Sequence, residues 1–387
     1  MRCTPVALVP AVSLLLAAGS LTLVAAQPAT GVKTSTDAIY KTSYRVVDVH
    51  GHAPFPSEKA LRAHLQVLDR VGVAAFTVLL YEPEGWAYAG GWSDPNLLEW
   101  LELRKRYPDR QLVFGTVDFR RAAKEPRFWA DIVGELDRAV RLGMQGVKIW
   151  KNLGMHYPDK DGKLLRIDDP RLDPFWARCG ELGVPVFIHA ADPKEYWYPR
   201  TYNTYQYESE WTARYHNHPV VPRWEDLIAQ RDAVVRRHPK TTFIGAHFAS
   251  LSSDFDGLAR TLDALPNLFV ECGARLRFLY RYHPHAVRDF FVRYQDRILF
   301  GTDNALADAA LVGNAEALRQ FQDRRAVFYS RHLEYFETDH LGIIEPGGSY
   351  REWMRLTGVK LPPAVLEKFY HGNAEKLIPG LKPPGGK

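Results

Sequence analysis

Eight short apolar, β-branched runs punctuate the chain, and their spacing restricts the fold more than any other feature. They are YRVVDVH (44–50), VAAFTVLL (73–80), LVFGTVDF (112–119), GVKIW (146–150), VPVFIHA (184–190), TTFIGAH (241–247), NLFVECG (267–273) and RILFGTD (297–303). Most stand about 30 to 40 residues apart, the size of a βαβ unit. Between them lie amphipathic stretches such as EKALRAHLQVLDRVG and FWADIVGELDRAVRLG, which end in Gly as helices often do. Near-continuous apolar strands separated by helices imply a parallel sheet covered on both faces.

The polar residues decide between an open sheet and a closed one. His50 closes run one and His52 follows it; His189 lies at the end of run five, His247 ends run six and Asp303 ends run eight. Lys148 lies near the end of run four. In an open sheet runs one and eight would be far apart, whereas in an α/β (β/α)8 barrel (a TIM barrel) all eight strand ends ring one mouth. The expectation is therefore a barrel over residues 45–380. A chain of 387 residues with 46% hydrophobic content is large enough to build its core.

Four imidazoles and a carboxylate suit a borderline divalent ion, with zinc favoured and manganese, iron or cobalt compatible. Such an ion lowers the pKa of water, and a neighbouring carboxylate can take the water's proton and return it to a leaving group. Asp303 has the chemistry for that role. Each residue alone has a plainer reading: an exposed loop pair, a core histidine, or a helix cap at Asp303. Their joint position at strand ends favours a metal site.

At these residues the sequence resembles the amidohydrolase superfamily. The resemblance runs through DVHGH, GVKIW, FIHAADP, GAHF, LFGTDN and FYHGNAEKLI, from Val46 to Leu377. It is closest to the amidohydrolase-related branch that includes aminocarboxymuconate-semialdehyde decarboxylase. The resemblance implies that His50 and His52 are metal ligands and that Asp303 is both ligand and proton shuttle. Two schemes stay open for the rest. With one metal, His189 is a ligand and His247 a catalytic group acting on water or substrate. With two, both histidines bind the second ion and a carboxylated Lys148 bridges the pair.

The substrate side is read from aromatic and basic residues. Residues 192–223 form a long connection dense in Tyr and Trp, including Trp197 and Tyr198, and a second cluster after run two contains Trp86. Long loops of this composition are commonly functional. Arg275 and Arg277, just beyond run seven, are placed to hold a substrate carboxylate. The expected activity is hydrolysis of an amide, lactone or ester bond in a small molecule. The alternatives are decarboxylation of a small carboxylic acid and a non-catalytic small-molecule-binding barrel.

The first 26 residues carry one positive charge at Arg2, an apolar run and the exit VAA, the pattern of a secretory signal cut before Gln27. Export to the periplasm or medium is expected, with residues 27–44 as a polar arm and no membrane attachment after cleavage. Cys179 and Cys272 remain in the mature chain and are read as buried thiols. The net charge of +5 is dispersed over 50 basic and 45 acidic residues, so nucleic acid is not an expected partner. This fold often pairs, so a homodimer is compatible with the sequence, which does not itself fix the oligomeric state.

Overall fold

The computed structural model describes residues 33–36, 38–80, 95–199, 214–344 and 355–381. Strands β1 (Val47–His52), β2 (Ala75–Leu79), β3 (Gln111–Thr116), β4 (Gly146–Ile149), β5 (Val186–Ile188), β6 (Phe243–Gly245), β7 (Leu268–Glu271) and β8 (Ile298–Leu299) pair in sequence order, all parallel. The chain beyond β8 then turns alongside β1. Phe300 O accepts from Val49 N at 3.0 Å, Asp303 N donates to His50 O at 2.8 Å, and β9 (Asn304–Ala305) pairs with Gly51 and His52. The last strand segment thus closes the sheet onto the first, and the fold is a (β/α)8 barrel.

One major helix follows each strand: α1 (Glu58–Val71), α2 (Pro95–Arg106), α3 (Phe128–Arg141), α4 (Asp173–Glu181), α5 (Trp224–Arg237), α6 (Phe255–Ala264), α7 (Pro284–Arg293) and, after β9, α8 (Ala315–Glu337). The first is typical in its causes. Ser57 caps it by accepting from Ala60 N, Leu61, Leu65, Leu68 and Val71 bury one stripe, and Gly72 ends it at φ 86°. A Cβ at Gly72 would stand 2.6 Å from Thr42 O, so the stop also needs glycine for space.

Alternation along the strands builds two cores. Phe76, Val78, Val113, Val147, Val186 and Val270 face the helices. Ala75, Leu79, Leu112, Phe114, Phe187, Ile244 and Leu299 fill the barrel together with Ala374, Ile378 and Leu381. The C-terminal segment therefore contributes to the interior, and Asn373 fixes it by donating to Gln295 O and Ile298 O at 2.8 Å each.

The described part of the arm lies on α8. Tyr40 N donates to Ser330 Oγ at 2.6 Å, Tyr40 Oη to Glu337 at 3.0 Å, and Thr34 bridges to Leu341. Cys179 and Cys272 are both free and buried, as expected. Residues 1–26, read above as a secretory signal, lie outside the described residues; among those described, no helix is long and apolar enough to cross a membrane.

Candidate metal centre

A bulge in β1 aims the first two histidines. Val47 and Asp48 pair with Ala75 and Phe76, but Gly51 pairs with Val78, so β1 holds one residue more than β2 over this stretch. Asp48 therefore faces the helices beside Phe76, while His50 and His52 face the interior. The outward carboxylate is fully used. It accepts from His50 N (3.0 Å), Thr302 N (3.0 Å), Thr302 Oγ1 (2.5 Å) and Tyr329 Oη (2.7 Å). Burial nonetheless pushes its pKa up to about 6.

Three ligand-type atoms converge at the mouth. His50 Nε2 and His52 Nε2 stand 3.1 Å apart, and Asp303 Oδ1 lies 3.1 Å from the first and 2.9 Å from the second. Asp303 reaches them from a left-handed backbone position, φ 61°. Burial alone would raise its carboxyl, but His50, His52 and His247 hold it well below the carboxylate range. His50 shows the reverse balance. Burial lowers it, yet Glu271 on one nitrogen and Asp303 on the other raise it to about 9.

His247 and His189 complete the ring of imidazoles. Their rings meet edge to face at 4.6 Å, and His247 lies 4.9 Å from the His50 ring. His247 Nδ1 bonds Gly273 O at 2.7 Å, leaving Nε2 facing Asp303 Oδ2 at 3.9 Å. Burial holds both well below the ordinary histidine range, helped by Arg275 at His247 and by Lys151 and Lys148 at His189. They are neutral, with lone pairs to offer. Among the described residues, the buried His189 Nε2 has no hydrogen-bond partner.

His247 sits in an unusual backbone. His247, Phe248, Ala249 and Ser250 have φ values of 58°, 55°, 54° and 64°, a left-handed turn without a glycine. Such backbone costs roughly 1–2 kcal/mol per L-residue, and it persists because side chains hold it. Arg231 donates to Ala249 O, Ser250 Oγ to Ala191 O, and Glu271 accepts from His247 N at 2.6 Å.

Glu271 and Asp192 were not among the residues expected at the site. Glu271 ends β7 with no exposed surface and bonds His50 Nδ1 at 3.0 Å. Its signal was available, since it is the acid at the end of an apolar run, as Asp303 is. Asp192 receives Lys151 Nζ at 2.5 and 2.6 Å and Tyr215 Oη at 2.8 Å, and it lies 3.8 Å from His189 Nε2. Burial alone would raise the Asp192 carboxyl, but Lys151 first, then His189 and Tyr215, bring it down to about 2.

Lys148 is fully buried on the inner face of β4, with Nζ 4.6 Å from the Phe187 ring and 4.8 Å from that of Trp150. Arg275 is buried as well. Its Nη1 donates to Ala274 O at 3.0 Å, its guanidinium lies 5.3 Å from the Phe278 ring, and its Nε has no acceptor among the described residues. Arg277 stands over the same ring at 5.4 Å. The aromatic candidates divide differently. Trp197 donates Nε1 to Pro222 O and packs on Tyr215, and Tyr198 is 43% exposed. Both line a surface pocket with His216, His218 and Trp224 to which none of the five centre residues contributes. Trp86 lies outside the described residues.

The donor set fits a divalent ion. Three nitrogen and oxygen atoms within about 3 Å of one another can share an ion at bond lengths of about 2.1 Å, and the unpartnered His189 nitrogen is an orphan such an ion would satisfy.

The fold and this cluster define a class, the parallel barrels with a His/Asp cluster at the strand ends that could hold a metal ion. Within that class the chain belongs to the amidohydrolase family, whose description matches residues 47–380. No curated protein matches. Solved structures with similar folds include 2,6-dihydroxybenzoate decarboxylase from Rhizobium (16% identity, 86% of this chain and 98% of that one, TM-score 0.47). Another is 5-carboxyvanillate decarboxylase from Novosphingobium aromaticivorans, complexed with manganese and a nitrobenzoic acid (14%, 89% and 99%, 0.47). A third is a probable 2-pyrone-4,6-dicarboxylic acid hydrolase from Acinetobacter baumannii with citric acid bound (12%, 86% and 98%, 0.44).

Proposed function

We propose that the protein is a metal-dependent hydrolase that opens an amide, lactone or ester bond in a small, anionic substrate. The observation that carries this reading is the division of labour within Asp303. Its Oδ1 faces the two histidine nitrogens at 2.9 and 3.1 Å, while Oδ2 faces His247. One carboxylate can therefore help hold an ion and still exchange a proton on its other side.

His50, His52, Asp303 and His189 would hold the ion, zinc in this reading, with manganese, iron or cobalt as alternatives. When bound it supplies Lewis acidity and lowers the pKa of water to near neutrality. Asp303 accepts the proton of the attacking water and hands it to the departing oxygen or nitrogen. His247 acts beside it as a neutral acceptor, its ring fixed by the Gly273 carbonyl. Arg275 attracts the anionic group of the substrate, because a buried guanidinium that no carboxylate hydrogen-bonds among the described residues gains most from a ligand that brings one. In the two-metal form of this reading, His189 and His247 would hold the second ion and a carboxylated Lys148 would be shared between the two. The mature protein begins at Gln27 and works outside the cytoplasm.

Decarboxylation is the second reading, favoured by the same Arg275 charge beside a histidine able to move a proton. Both are tested by incubating the metal-loaded protein with small carboxylate-bearing lactones, esters and amides and with hydroxybenzoic acids. Product masses and released carbon dioxide are then recorded. Hydrolysed products without carbon dioxide support the first reading. Carbon dioxide release replaces it with the second, and turnover undiminished in Asp303→Asn overturns both.

A further inference from the structure

We propose that Glu271 is the positioning residue of the centre, setting the ligand nitrogen of His50 and the seat of His247 through one buried carboxylate. The inference rests on the metal reading above and adds a residue to it. Oε1 receives His50 Nδ1 at 3.0 Å and His247 N at 2.6 Å, and Oε2 receives Gly273 N. Gly273 in turn supplies the carbonyl that takes His247 Nδ1. The carboxylate thus reaches both histidines, one by its ring and one by its backbone.

The direction of each bond matters. His50 donates from Nδ1 to Glu271, which leaves Nε2 as the lone-pair nitrogen facing His52 and Asp303. An imidazole points its two nitrogens apart, so Glu271 stands behind His50 as seen from the ligand cluster. It is not itself placed among those ligands, although with His50 and His247 it forms a second group whose ligand-type atoms lie within 4.8 Å of one another. Its bond to His247 N falls at the first residue of the left-handed turn and restrains that turn where the ring leaves the strand.

The surroundings are shaped for the carboxylate. A Cβ at Gly301 would lie 2.2 Å from Oε2, and one at Gly273 2.7 Å from the same atom. Two strand-end glycines therefore leave the space the acid occupies. A glutamine fits this space but cannot serve it, because its amide nitrogen would face either a backbone N–H or the His50 proton, donor against donor.

The test compares the full chain with Glu271→Gln and Glu271→Asp, each titrated with zinc against a chelator of known affinity. Histidine ring nitrogens are followed in parallel by 15N NMR on the zinc form. Glu271→Gln is expected to bind zinc about 10- to 100-fold more weakly. Its His50 and His247 signals should shift together while that of the exposed His283 stays put. Glu271→Asp keeps the charge and should recover part of the affinity. Affinity within twofold of the parent in Glu271→Gln, with His50 still protonated at Nδ1, overturns the proposal. If neither variant folds, the parent spectrum decides: a proton on Nδ1 of zinc-bound His50 supports it, and zinc on Nδ1 overturns it. A parent that binds no zinc is a separate failure, that of the centre itself.

Discussion

Tyr329 on α8 donates its phenol proton to Asp48 on β1 at 2.7 Å, so an outer helix grips the strand that carries two of the proposed ligands. Both groups are fully buried. Tyr329→Phe leaves that carboxylate short of one donor, and a loss of about 1–3 kcal/mol is expected. Urea unfolding of the metal-free protein measures it; a change under about 0.5 kcal/mol would show that Thr302 and His50 N suffice.

Two histidines outside the site give stability a definite pH dependence. Burial lowers His64 to about 3 and His332 to about 4, both from 6.5. Between these values and 6.5 the unfolded chain binds more protons than the folded one. The contribution is therefore complete above about pH 6.5 and is lost as pH falls towards 3 to 4, by up to about 1.4 kcal/mol per pH unit for each group. Asp48, raised to about 6, works in the opposite sense, with stability lost as pH rises through 6. Subtracting the His64→Leu profile from the parent isolates one group. The difference should slope between pH 6.5 and 4 and be flat above 7.

Ala249 offers a test of the strain after β6. Its φ of 54° is one that glycine adopts freely. Ala249→Gly should raise stability by about 0.5–1.5 kcal/mol after allowing for the lost methyl contact, seen as a higher melting temperature. Destabilisation beyond 1 kcal/mol would mean that the turn is not strained.

Arg275 should trade stability for binding. Among the described residues no carboxylate hydrogen-bonds the buried Arg275, so removing this cation is expected to stabilise the fold, and Arg275→Met should melt higher by a few degrees, about 1 kcal/mol. The same variant should lose affinity for carboxylate-bearing ligands about 10- to 100-fold while binding neutral analogues as before. Equal loss for both ligand types would assign Arg275 to structure alone.

The barrel was legible because strand spacing and strand-end polarity are properties of the linear chain. His50, His52, His189, His247 and Asp303 are singled out the same way, each at or beside the end of an apolar run, and the fold brings their side chains together. Glu271 obeys the same rule, as the acid near the end of run seven, and was not among the expected site residues. Asp48 was beyond reach. Strict alternation puts it on the same face as His50 and His52, and the bulge that turns it outward leaves no mark in VVDVHGH. The aromatic wall was read from composition alone, which says nothing about direction. Trp197 spends its N–H on Pro222 and its ring on Tyr215.

The metal content of the purified protein, by elemental mass spectrometry after metal loading and dialysis, bears most directly on the centre. The parent should retain one or two equivalents of a divalent ion per chain, and a folded His50→Ala/His52→Ala variant should retain less than a tenth of that. A folded parent that retains none, or a double variant that retains as much as the parent, contradicts the centre at the barrel mouth.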